Sequence, residues 1–241
     1  MESTSQTTAH SHKDCTLVIM AKAPRLGTVK TRLAQSLPVE AVTELYRCLL
    51  DDTLALARSL GDVEIAMMCP DSDVNDLAWS AGNEVRVVAQ KGQGLAAGLT
   101  SVFAHFAALG QRVVAFNSDS PHLPASVLLG AFDALDLHDV VVGPTHDGGY
   151  YLVGAKATHP TLFDGDSMGT KSALDALLAR AQKLQLSVGF TDPFYDIDVV
   201  DDLSRLAAEL EFAPARAPRT ADWLKQWGPV VAHLRTGTGT L

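Results

Sequence analysis

Seven short apolar runs punctuate the chain, and longer segments of helical periodicity separate most of them. The runs Thr16–Met20, Val63–Cys69, Val85–Ala89, Arg112–Asn117, Asp139–Gly143, Tyr150–Gly154 and Leu186–Thr191 predict strands. A long helix is predicted from Pro38 to Leu60. Its stripe of Val42, Leu45, Leu49, Thr53, Leu56 and Leu60 repeats near every 3.6 residues, and Gly61 stops it. Further helices are predicted over Asp73–Ala81, Leu95–Leu109, Ala125–Leu135, Lys171–Leu184 and Val200–Leu210. The segment Ala221–Trp227 reads as a short amphipathic helix whose tryptophans turn toward the core. Strand–helix alternation of this kind predicts an α/β fold, an open, mainly parallel sheet with helices on both faces. In such sheets ligands sit beyond the carboxyl ends of the strands, so chemistry-bearing residues are expected just after the strands.

Composition narrows the possibilities. The 241 residues suit one domain, placed over 15–233, with loose ends over 1–14 and 234–241. A net charge of −9 excludes a broad nucleic-acid-binding face, although not a single bound nucleotide. The three cysteines, Cys15, Cys48 and Cys69, have neither a CxxC pair nor zinc spacing, which fits a reducing cytoplasmic setting. No apolar run reaches the length of a membrane span, and residues 1–14 lack the apolar core of a secretion signal.

On this acidic background one basic loop stands out. Lys22, Arg25, Lys30 and Arg32 fall in a segment, Cys15 to Val39, that holds no acid. The loop follows the first strand and contains Pro24 and Gly27. Cations beside a helix N-terminus and free backbone N–H groups make a phosphate site; the alternative is a solvated basic loop. It is not a Walker A loop: two residues separate Gly27 from Lys30, and the first glycine of that motif is missing. Gly92-Gln93-Gly94 with Gly98 has GxGxxxG spacing and follows the third strand, unlike a dinucleotide fingerprint. Such a loop either lets backbone approach a nucleobase or is an ordinary strand-to-helix turn.

Three more clusters carry carboxylates. Asn117-Ser118-Asp119-Ser120-Pro121 ends an apolar strand, where Asp119 is placed either to hold a hard divalent cation or to cap the next turn. His146-Asp147-Gly148-Gly149-Tyr150-Tyr151 reads as a substrate-facing turn or as a plain β-hairpin. In Tyr195-Asp196-Ile197-Asp198 the two acids alternate in an extended segment and so point the same way; either completes a metal site with Asp119. Asp201 and Asp202 read as first-turn helix acids. His122 follows Asp119 closely and is a weaker candidate for the site.

Together, and in this order, these motifs resemble a bacterial family of small transferases of the GT-A nucleotide-diphospho-sugar superfamily. Its members are described as glycosyltransferases and as relatives of phospholactate and molybdenum-cofactor guanylyltransferases. The resemblance runs from Thr16 to Leu203. It rests on Ala21-Lys22-Ala23-Pro24, Gly27, Val29-Lys30-Thr31-Arg32-Leu33-Ala34, Ser118-Asp119-Ser120-Pro121, Asp147-Gly148-Gly149-Tyr150-Tyr151-Leu152 and Asp196-Ile197-Asp198. It implies a GT-A (Rossmann-like) architecture and a nucleotide lying across the first loop, with Lys22, Ala23, Arg25, Gly27, Lys30 and Arg32 around its phosphates. Gln93 and Gly94 would face the base. Asp119 and Asp198 would hold Mg²⁺ or Mn²⁺. Lys30 and Asp119 are expected to serve catalysis; from the residues themselves Asp147, Gly148, Gly149 and Tyr150 are expected to face the substrate, with Asp147 a catalytic base or an acceptor contact, a role the resemblance leaves open. The chain departs from the pattern at Leu26, where a proline is common, at Ala96-Ala97, where an acid is common, and at Ser167-Met168-Gly169-Thr170.

The implied activity is metal-dependent transfer of a sugar from a nucleotide-diphospho-sugar to a small-molecule acceptor. The alternative is nucleotidyl transfer from an NTP to a phosphorylated small molecule with release of pyrophosphate. A third reading is a nucleotide-binding module without turnover. The sequence leaves the base, the sugar, the acceptor and the oligomeric state open.

Overall fold

The computed structural model describes residues 12–165 and 172–236. The Ser167–Thr170 departure and most of both predicted loose ends lie outside the described residues. The strands are β1 (Cys15–Met20), β2 (Glu64–Cys69), β3 (Arg86–Ala89), β4 (Arg112–Asn117), β5 (Val140–Pro144), β6 (Tyr150–Ala155) and β7 (Val188–Phe190). The helices are α1 (Val39–Arg58), α2 (Val74–Ala81), α3 (Gly94–Phe106), α4 (Ala125–Ala134), α5 (Ala173–Lys183), α6 (Val200–Phe212) and α7 (Pro218–Thr236). One sheet of order β3-β2-β1-β4-β6-β5-β7 carries them. Every neighbouring pair is parallel except those of β6, which runs antiparallel to both β4 and β5. The fold is thus the expected α/β architecture with a mixed, mostly parallel sheet.

Alternation along the strands divides the core. In β1, Leu17 and Ile19 face α1, α2 and α4, packing with Leu50, Leu54, Leu77 and Phe132. Val18 faces the other way, toward Phe103 and Phe106 of α3 and Leu177 of α5. Both faces being covered explains why the central strands read as unbroken apolar runs. The opposite side of α1 (Val42, Leu45, Leu49) packs against α6, α7, Tyr195 and Ile197 in a third cluster.

The topology places the site. After β3 the chain crosses back to β4 on the other side of β1, so β1 has β2 and β4 as opposite neighbours. Met20 and Asn117 pair at the ends of β1 and β4. The loops leaving those two ends diverge and open a crevice at the switch point.

Three boundaries differ from the sequence expectation. The last strand is shorter because Gln185 (φ 57°) and Leu186 close the turn after α5, with Leu186 N–H donating to Ala181 C=O. The third helix tightens into a 3₁₀ turn at Ala107–Leu109, and Gly110, in the left-handed region, ends it. The C-terminal helix is far longer than Ala221–Trp227. Pro218 opens it, and Pro229 lies on its exposed side, where a carbonyl left without a partner can be hydrated. Trp223 is buried and stacks on Trp227, as the core reading expected.

Helix α7 docks through a capping acid borrowed from α1. The buried Asp52 carboxylate accepts from Arg219 N–H (3.2 Å) and Thr220 N–H (2.8 Å). Burial pushes the Asp52 pKa up, against these hydrogen bonds. Among the described residues, no helix is long and apolar enough to cross a membrane. Asp52→Ala is expected to cost about 1–2 kcal/mol in urea unfolding, the usual loss for a helix cap.

Candidate functional site

The first loop leaves β1 and turns back through two residues in the left-handed region, Gly27 (φ 73°) and Lys30 (φ 47°). A lysine there is strained, and strain of this kind clusters at functional sites. The turn drives the Lys30 side chain inward until it is only 4% exposed. Its ammonium lies 2.8 Å from Asp119 Oδ2 and 2.9 Å from Asp198 Oδ1. Burial alone would lower the Lys30 pKa; Asp119 and Asp198 outweigh it and raise the value. Arg32 reaches the other Asp198 oxygen at 3.4 Å.

Asp119 stands just past the end of β4. Asp198 arrives from the segment before α6, where Tyr195 and Ile197 are buried and Asp196 and Asp198 point the other way, as the period-two alternation required. Asp202 of α6 accepts from Asp198 N–H (2.9 Å) and Val199 N–H (2.8 Å), fixing the backbone that carries Asp198. Ile197 N–H donates to Asp119 C=O (3.3 Å), so the segment runs alongside Asp119. The carboxylates of Asp119, Asp196 and Asp198 each offer an oxygen within 4.8 Å of the others. Burial, then the Asp198 charge, pushes the Asp196 carboxyl up to about 6.

A cleft of about 1020 Å³ opens between these groups and the ends of β2 and β3. Lys22, Lys30, Arg32, Asp119 and Asp198 line one end, and Gln90, Gln93, Gly94, Asp71 and Ser72 are among the residues around the rest. Lys22, Lys30, Arg32, Gln93 and Gly94 therefore face one cavity, together with Asp119 and Asp198.

Other expected residues stand elsewhere. Arg25 is turned away from the cleft. Its guanidinium binds Asp73 (2.6 Å), Asp76 (2.6 Å) and Ser72 C=O (2.8 Å). Ala23 is buried and donates its N–H to Asp73 (2.8 Å). Gly27 serves the turn and does not line the cleft. Asp147 accepts from Thr145 Oγ1 (2.6 Å) and Gly149 N–H (3.3 Å), holding together the turn between β5 and β6. Gly148, Gly149 and Tyr150 complete that hairpin, at the same edge of the sheet but outside the cleft lining.

Sequence reasoning missed Tyr46, which stands beside the apolar stripe of α1 and is buried there. Its hydroxyl accepts from Lys22 N–H (3.0 Å) and lies 3.0 Å from Ser118 Oγ. With the hydroxyl proton on Ser118, a chain of hydrogen bonds links the first loop to the turn that carries Asp119. Burial, then the Asp119 charge, pushes the Tyr46 pKa up to about 12, so the phenol stays neutral. His122 packs against Phe194 and Tyr195 behind the Asp196–Asp198 segment. Among the described residues neither of its ring nitrogens has a hydrogen-bond partner. Burial, then Arg216 and Arg205, pushes its pKa down to about 3, so it is a neutral packing residue.

Two outcomes follow from these supports. Tyr46→Phe should lower stability by about 1 kcal/mol in chemical denaturation, by loss of the hydroxyl's hydrogen bonds. His122 resists protonation only when folded; its contribution is present above the unfolded pKa near 6.5 and is lost as pH falls toward about 3. Unfolding free energy measured from pH 7 to pH 4 should therefore fall less steeply in His122→Leu than in wild type. The difference should reach at most about 1.4 kcal/mol per pH unit.

Comparison with known proteins agrees with this fold. Residues 53–170 match the bacterial family described as "Uncharacterized protein conserved in bacteria (DUF2064)". No curated protein matches the chain. One similar solved structure is a "putative nucleotide-diphospho-sugar transferase" from Desulfovibrio desulfuricans G20. It is 25% identical, with a TM-score of 0.84 over 92% of this chain and 98% of that one. A 4-diphosphocytidyl-2C-methyl-D-erythritol synthase from Anaerococcus prevotii DSM 20548 is 12% identical, with a TM-score of 0.55 over 82% and 96%. A nucleotidyl transferase from Methanothermobacter is 17% identical, with a TM-score of 0.54 over 82% and 97%. At such identities the last two share the fold alone. Over residues 53–170 the chain is similar to the DUF2064 family, and as a whole it has the fold of the nucleotide-diphospho-sugar transferases.

Proposed function

We propose that this protein is a divalent-metal-dependent transferase that moves a sugar from a nucleotide-diphospho-sugar to a small-molecule acceptor. The observation that carries this reading is the meeting of Lys30 with Asp119 and Asp198 at the switch point, at one end of a cleft large enough for a nucleotide. The Desulfovibrio neighbour, whose description names that substrate class, supports the choice of donor.

Three carboxylates with oxygens within 4.8 Å of one another are a hard-donor set suited to Mg²⁺ or Mn²⁺, and the Lys30 ammonium seated on two of them supports a cation at that place. Asp119 and Asp198 would hold such an ion, with Asp196 beside them, and when bound it supplies charge neutralisation for the departing diphosphate. The chain's own residues do the rest. Lys30, with Lys22 and Arg32, receives the negative charge that grows on the diphosphate. Gln93 and Gly94 lie at the cleft wall after β3, where a base would rest. In the transfer an acceptor oxygen bonds to the anomeric carbon, and the bond from that carbon to the diphosphate breaks. The electron pair leaves with the nucleoside diphosphate, and the acceptor proton passes to water.

One observation favours a second reading, nucleotidyl transfer. Lys30 and Arg32 converge on the same carboxylate, a density of cations that suits departing pyrophosphate. Incubation with a panel of NDP-sugars and NTPs plus Mg²⁺ separates the two. Free NDP from an NDP-sugar supports glycosyl transfer, and pyrophosphate from an NTP supports nucleotidyl transfer. In either case chelation of the metal should stop release, and Asp119→Ala should reduce it by at least about 10²-fold. Nucleotide binding that ignores metal, with no release from any donor, would instead mark a binding module.

A further inference from the structure

We propose that Lys30 is a resident cation that bars a divalent ion from the Asp119–Asp198 site until a polyphosphate draws its ammonium away. The inference rests on the metal-dependent reading above. Lys30 Nζ lies 2.8 Å from Asp119 Oδ2 and 2.9 Å from Asp198 Oδ1. These are two of the three carboxylates that can share an ion. A Mg²⁺ or Mn²⁺ bound to their oxygens at about 2.1 Å would stand roughly 3–4 Å from that ammonium. At such a separation, in a site whose lysine is 4% exposed, the repulsion far exceeds thermal energy. Ammonium and metal therefore compete for the same two carboxylates.

The exit for the ammonium is on the same wall of the cleft. Lys22, Thr28, Thr31 and Arg32 line the cavity next to Lys30. Phosphate oxygens lying along that wall offer the ammonium new acceptors, and the flexible stem of lysine lets its head follow them without moving the turn. Once Lys30 has turned to the phosphates, Asp119 and Asp198 are both available to a metal. Metal and polyphosphate then bind as a pair, each strengthening the other, as linkage requires. A fixed structural ion pair would behave differently: removing the lysine would destabilise the fold and leave metal affinity no better.

The test is Mn²⁺ binding to the full, nucleotide-free chain, read from the electron paramagnetic resonance signal of free Mn²⁺. Wild type should bind weakly. Lys30→Met should bind at least about tenfold more tightly, although it removes a residue of the proposed machinery. Lys30→Gln, whose amide can still donate to a carboxylate, repeats the test should the methionine variant not melt cooperatively. Asp119→Ala placed on either variant should abolish the gain. Equal or weaker Mn²⁺ binding by a folded Lys30 variant overturns the proposal, as does a gain that survives Asp119→Ala. Tight Mn²⁺ binding by wild type without nucleotide overturns the lysine bar and leaves the metal-dependent reading standing. No Mn²⁺ binding by any form, with inorganic pyrophosphate present or absent, overturns both.

Discussion

A single ammonium holds the functional end of this molecule together. Lys30 joins the loop after β1 to the end of β4 and to a segment 168 residues further along the chain. Burying a lysine is costly, and only close, hydrogen-bonded carboxylates offset the loss of hydration. Two carboxylates serve here, and both keep some solvent contact, Asp119 at 23% and Asp198 at 38% exposure. The left-handed backbone at Lys30, the Asp202 clamp on Asp198 and the hydrogen bond from Ile197 to Asp119 all serve to bring these charges together.

A second layer keeps the cluster from drifting. Tyr46 reaches from α1 to touch both the first loop and Ser118. Tyr195 donates to Glu209 (2.9 Å), and Arg205 lies 3.7 Å over its ring, which pins the segment carrying Asp196 and Asp198 onto α6. These contacts spread the site's rigidity over helices that contribute little to its chemistry.

Much of this was legible from sequence, because the signals were local. All seven strands register as short apolar runs, the rule that ligands gather at strand ends pointed to the loops carrying Lys30 and Asp119, and the alternation of Asp196 and Asp198 in an extended segment offered either as a partner of Asp119. What was not legible depended on partners distant in the chain. Arg25 looked like its basic neighbours, yet Asp73 and Asp76 of the next crossover take up its guanidinium. Asp147-Gly148 signalled a tight turn, and hydrogen bonds from Thr145 and Gly149 to Asp147 hold that turn together, while what it faces depends on groups the local sequence does not name. Tyr46 was hidden because its ring is core while its hydroxyl is not. The last helix runs on through Gly228-Pro229, and the sequence does not say that Pro229 falls on the wet side.

The reversed strand β6 closes the sheet beyond β4 by a hairpin instead of a helical crossover. Strands β1 to β4 and their crossovers build the cleft wall, and moving any of their helices would shift the sheet's spine. The edge beyond β4 is completed by a tight reversal between β5 and β6 rather than by a crossover helix. A reversal of that kind can lengthen, shorten or change its side chains without disturbing strand order. Insertions or exchanges at that turn would leave strand order, and with it the cleft wall beside β1, as they are.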